Sequence, residues 1–190
     1  MPLNSKRIEP VEPPYDAETA DALDRLGPPL QLFRVWARRP ALARGVASWG
    51  RYYFSRQSAL SVRQRELVID RTTALCGAGY EWGVHVAAFA AKAGLDAAQI
   101  RSLGAGSPAG PCWDAADRAV LVAVDELRAT SDLGDATWAE LVGAAGEDGA
   151  LEVLLLCGWY HAISFTVRAL RLPPEPGTEP LPAAGIRRNG

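Results

Sequence analysis

A chain of 190 residues is long enough to bury one proper core and fits a single domain. Its 48% hydrophobic and 22% charged residues are those of a globular protein, and a formal net charge of -2 gives no basic field, which disfavours phosphate-backbone binding as the main activity. Three widely spaced cysteines, Cys76, Cys112 and Cys157, supply neither a disulfide framework nor a Cys-x-x-Cys or zinc signature.

Residues 1–14 read as a proline-containing polar arm. Lys6, Arg7, Glu9 and Glu12 leave Met1 to Tyr15 without the apolar stretch of a signal peptide. Asp16 to Leu26 has helical periodicity and meets the breaker Gly27-Pro28-Pro29. Leu30 to Arg38 predicts a short helix stopped before Pro40, which itself suits the first turn of the next one. From Ala41 to Phe54, Leu42, Val46, Trp49 and Tyr53 recur at three- and four-residue steps. Ser61-Val62-Arg63-Gln64 is a capping box opening a helix to about Cys76, interrupted by Gly77 and Gly79.

A helix from about Tyr80 to Ala93 stops at Gly94, and Asp96 caps a short one through Leu103. Gly104–Pro111 is a plain linker; Trp113–Leu127 is strongly helical, and Asp135 is expected to cap Ala136–Ala145. The last long helix, about Ala150–Leu170, carries Leu151, Leu154, Leu155, Trp159, Ile163 and Val167 and closes at Pro173-Pro174. Its apolar run Leu151–Trp159 is too short to span a bilayer and contains Glu152. Strand alternation is hard to find, so the chain reads as all-α: an arm and first helix over 1–27, a main body over 28–172 and a flexible tail over 173–190. A soluble, cytoplasmic protein with reduced thiols is expected.

The chemistry concentrates where two helices meet. Glu81 and His85 are four residues apart, hence on one helix face, and an antiparallel turn would bring Glu66 against them. Two carboxylates and an imidazole beside aromatic residues are ingredients for proton transfer. The only other histidine is His161. Plainer readings stand beside these: His85 as a core histidine satisfied by a carboxylate, Glu66 as a salt-bridge partner of Arg63, Arg65 or Arg71, and Glu81 as an early-helix acid favoured by the dipole. Tyr80 and Trp82 are candidates for packing or for substrate contact, and His161 for the core or for the pocket.

The segment Leu60-Ser61-Val62-Arg63-Gln64-Arg65-Glu66-Leu67, followed by Cys76 and Tyr80-Glu81-Trp82-Gly83-Val84-His85, resembles the carboxymuconolactone decarboxylase family. That superfamily also holds the alkylhydroperoxidase-D-like proteins. The resemblance extends over roughly 28–172, and implies an alkylhydroperoxidase-D-like helical bundle assembling into homo-oligomers, trimers or larger. It implies a cofactor-independent, metal-free, decarboxylase-like enzyme working by acid–base chemistry on a small unsaturated or cyclic organic acid; the net charge and the short apolar run lead to no expected nucleic-acid or membrane partner. His85, Glu66 and Glu81 would be catalytic, and Tyr80, Trp82 and His161 would bind substrate. The alternative is a peroxide reductase. That branch uses a Cys-x-x-Cys pair, whose two positions fall here on Ala78 and Glu81, so both redox sulfurs are missing. A non-catalytic small-ligand-binding module is a further alternative.

Overall fold

The computed structural model describes residues 6–182; the outer ends of the expected arm, 1–5, and tail, 183–190, lie outside the described residues. Helix α1 (Ala17–Leu26) is capped by Asp16, whose carboxylate accepts the Thr19 N–H at 2.7 Å. Two helices follow, α2 (Gln31–Trp36) and α3 (Pro40–Tyr53), the second with Pro40 in its first turn. The capping box opens α4 (Val62–Leu75): Gln64 N–H donates to Ser61 Oγ at 3.1 Å, and Ser61 N–H donates to Gln64 Oε1 at 3.0 Å.

Beyond it lie α5 (Gly79–Phe89), α6 (Ala97–Ala105), α7 (Ala115–Thr130) and α8 (Asp135–Leu170). Among the described residues every regular element is a helix. Two expected boundaries move. The N-cap of α8 is Gly134, with Asp135 as its first residue, and the two expected C-terminal helices run as one across a break at Gly146, where φ is +73°. Glycine tolerates that left-handed backbone without Cβ crowding.

α4 occupies the centre. Leu67, Val68 and Ile69 have no exposure, and α5, α6, α7 and α8 all pack on it. Each such side chain contributes about 1.5–3 kcal/mol by leaving water. Its charged residues set the register. Arg63 pairs with Asp117 on α7 at 2.6 Å and Arg71 with Asp125 at 2.6 Å. Eight residues separate the two arginines and eight the two aspartates, so α4 and α7 run parallel.

α8 is long and apolar enough, by length and composition, to cross a membrane. Half of its apolar window is nevertheless buried within the fold, and Glu152 sits inside it, accepting from Tyr52 Oη at 2.5 Å, Ser58 Oγ at 2.6 Å and Ala59 N–H at 2.9 Å. It is a core helix. After α8, residues 173–182 of the expected tail form a strap lying back across the bundle. Glu175 accepts the Gln31 N–H at 2.6 Å and the Tyr80 hydroxyl, and Thr178 rests on Gly83.

Candidate active site

The turn Cys76–Ala78 joins α4 to α5, with Gly77 at φ +64° and Ala78 N–H donating to Thr73 O at 2.8 Å. It lays α5 back along α4, which carries His85 to Glu66. His85 Nδ1–H donates to Glu66 Oε2 at 2.8 Å, and Nε2–H donates to the Tyr160 hydroxyl oxygen at 3.0 Å. Glu81 Oε1 stands 3.5 Å from Nε2, which is an ionic contact longer than a formed hydrogen bond. Glu66 is the stronger partner.

Arg65 braces Glu66 from behind. Its Nε donates to Glu66 Oε1 at 2.8 Å and Nη1 to Tyr53 O at 3.1 Å, while its guanidinium lies 4.2 Å from the centre of the Phe54 ring. Both oxygens of a carboxylate with no exposure are thus engaged. Of the three arginines expected as partners, Arg65 takes Glu66, whereas Arg63 and Arg71 turn to α7.

Burial alone would push the His85 imidazolium toward neutrality. The bonds to Glu66 and then Glu81, with the charge of both carboxylates, outweigh it and raise the pKa to about 10. At neutral pH the ring is therefore charged and carries a proton on each nitrogen. The Tyr160 phenol, buried among acids, is held well above its usual pKa and stays protonated.

These groups stand at the wall of a cavity of about 560 Å³. His85, Glu81 and Tyr160 are its polar lining; Phe33, Trp36, Phe54, Phe89 and Trp159 make it aromatic. Arg25 and Arg51, both exposed, lie at its solvent edge, and Glu175, Pro176 and Thr178 of the strap complete the wall. The cavity falls in the range that holds small organic ligands.

Of the six residues singled out in the sequence, Glu66, Glu81 and His85 come together. Tyr80, Trp82 and His161 fall outside the cavity lining. Tyr80 directs its hydroxyl at the Leu32 N–H (3.1 Å) and Glu175, Trp82 is 1% exposed in the core, and His161 Nδ1–H donates to Cys157 O at 2.8 Å. The reason is helical geometry. Residues 80 and 82 each sit about 100° from 81, and 161 sits about 100° from 160. Sequence reasoning passed over Tyr160 in favour of its neighbour; the aromatic triplet 159–161 was the available signal.

Asp70 was also passed over. One turn beyond Glu66 on α4, it is fully buried with neither carboxyl oxygen hydrogen-bonded among the described residues. Burial raises its pKa well above the ordinary range, with the His85 charge opposing and Glu66 adding to the rise. The cysteines stand apart: Cys76 ends α4, Cys157 is buried on α8 and takes a hydrogen bond from Thr72 Oγ1 at 3.6 Å, and none of the three lines the cavity.

Comparison with known proteins bears on this geometry at two levels. Residues 40–125, which carry Glu66, Glu81 and His85, match the family model described as the carboxymuconolactone decarboxylase family. The crystal structure of an uncharacterized peroxidase-related protein from Silicibacter sp. TM1040 has a TM-score of 0.73 with this chain at 17% identity. The match covers 93% of this chain and 96% of that one, and shows that the alkylhydroperoxidase-D-like helical fold is shared. No curated protein matches the chain.

Proposed function

We propose that this chain, a member of the carboxymuconolactone decarboxylase family through residues 40–125, is a decarboxylase-type lyase acting on a small unsaturated or cyclic organic acid. The observation that carries the reading is the Glu66–His85 pair, bonded at 2.8 Å with the imidazole at the wall of an aromatic cavity. Loss of carbon dioxide breaks the bond between the substrate carbon and its carboxylate. The released electron pair moves into the conjugated unsaturation, giving an enolate-like intermediate, and one proton must then be delivered to carbon.

His85 supplies that proton from Nε2, and Glu66 keeps the imidazolium charged and oriented until transfer. Glu81, beside the same nitrogen, is placed to return a proton from water. The Tyr160 hydroxyl accepts from His85 and has its own O–H to offer the developing enolate oxygen. The aromatic walls suit a flat ring body, and they exclude the water that would otherwise screen these charges.

The test is carbon dioxide release from a panel of unsaturated lactone acids. His85→Ala is expected to lower kcat by about 10²–10⁴-fold with the fold intact. Wild-type turnover in that variant would remove His85 from the mechanism, and binding without turnover across the panel would favour a ligand-binding module.

The peroxidase-related description of the structural neighbour motivates a second reading, thiol-dependent peroxide reduction. It requires two sulfurs able to come within about 2 Å, and Glu81 occupies one of the positions where the peroxidase branch carries cysteine. Peroxide consumption with a dithiol donor, abolished by Cys76→Ser, would favour it over the lyase.

A further inference from the structure

Among the described residues, five charged side chains line the cavity: Arg25, Arg51, Glu81, His85 and Glu175. Four of them are already engaged. Arg25 Nε donates to Asp21 Oδ2 at 2.9 Å. His85 holds Glu66 at 2.8 Å and faces Glu81 at 3.5 Å. Glu175 accepts the Gln31 N–H at 2.6 Å and the Tyr80 hydroxyl. The Arg51 guanidinium alone has neither an ion pair nor a hydrogen bond among the described residues.

Its place on α3 sets where that charge stands. Ala47, Gly50, Arg51 and Phe54 follow at steps of three, one and three, and all four line the cavity. Phe54 marks the inner end, its ring centre 6.2 Å from that of His85 and 4.2 Å from the Arg65 guanidinium carbon. Arg51 begins one step of the face further out, about 4.5 Å along the axis, at the solvent edge. The floor beside them is bare, since a Cβ on Gly50 would meet no atom within 4 Å. That space admits the face of a flat ring.

The inner end has little to offer an anion. There the positive charges of His85 and Arg65 are matched by Glu66 and Glu81. A carboxylate brought to His85 Nε2 would also meet the Glu81 carboxylate, at the cost of like-charge repulsion. The uncompensated cation stands at the mouth, and the guanidinium fork matches the two oxygens of a carboxylate.

We propose that Arg51 is the anion anchor of this cavity: it pairs with an acid group at one edge of a flat ring, seats the ring over Ala47 and Gly50, and so turns the opposite edge toward His85. This rests on the reading of the cavity as a site for a small organic acid, and adds which residue reads the charge and how the ring lies.

Isothermal titration calorimetry on the full chain tests it with benzoate, trans-cinnamate and 2-naphthoate against their uncharged amides. No turnover is needed, so failure of the lyase reading would leave the result standing. Wild type is expected to bind at least one of these acids about tenfold or more tightly than its amide, the scale of a hydrogen bond to a charged group. Arg51→Gln is expected to erase that preference, and Arg51→Lys to keep part of it, because an ammonium retains the charge and loses the fork. Arg56→Gln, which removes an exposed arginine outside the lining, is expected to leave it intact. Gly50→Leu keeps Arg51 and fills the floor; with helicity retained by circular dichroism, it is expected to weaken acid and amide alike by about tenfold. A wild type that prefers none of the acids to its amide, a preference that survives Arg51→Gln, an equal loss in Arg56→Gln, or unchanged binding in Gly50→Leu would overturn the proposal.

Discussion

Asp70 places a carboxyl group one turn from Glu66 with no exposure and no hydrogen bond to either oxygen among the described residues. Such a group forfeits its hydration and gains nothing in return. Asp70→Leu is accordingly expected to stabilise the fold by about 1–3 kcal/mol at neutral pH, read from the urea midpoint. A loss of stability in that variant would mean that the acid has a partner. Its position was legible from spacing alone, since 66 and 70 share a helix face by the same four-residue rule that pairs 81 with 85. That rule also explains why Tyr80 and Trp82 could not join Glu81 at one wall.

At the scale of elements, local chemistry carried most of the reading. Asp16, the Ser61–Gln64 box and Asp96 each cap the helix expected after them, because a cap is decided within four residues. The strap 173–182 was not legible, since what holds it is distant in sequence: Gln31, Tyr80 and Gly83. A Cβ on Gly83 would lie 2.9 Å from Thr178 Cβ and 3.0 Å from Glu179 O. Gly83→Ala is therefore expected to lift the strap, costing about 1–3 kcal/mol, with helicity retained and faster proteolysis between 173 and 182. Unchanged cleavage there would show that the bundle absorbs the methyl elsewhere. The cavity itself was equally hidden, because Phe33, Phe89 and Trp159 converge from α2, α5 and α8, and no local pattern links them.

For the whole molecule, pH dependence follows from protons held in the folded state. His85 keeps its proton to about pH 10 when folded, against an ordinary value of 6.5. Its contribution to stability is complete below pH 6.5 and is lost as pH rises toward 10. Glu152 works in the opposite sense: burial opposes ionisation, but the Ala59, Ser58 and Tyr52 bonds hold its pKa below 4.5, so its contribution is present above that pH and lost as pH falls. The urea midpoint should thus peak between about pH 5 and 6.5 and decline toward pH 9.5, with the alkaline decline flattened in His85→Gln. An alkaline limb identical in the two proteins would deny His85 that role.

The central claim, that a carboxylate-held imidazolium stands ready to give a proton at the cavity wall, can be read directly because the chain has two histidines. Nitrogen-15 NMR of histidine-labelled protein, with His161→Gln to assign the signals, reports whether each ring nitrogen bears a proton. Both His85 nitrogens are expected to remain protonated from pH 6 to beyond 8, and the plateau to fall back toward ordinary titration in Glu66→Gln. A His85 ring that is neutral at pH 7 in the unaltered protein would contradict the account.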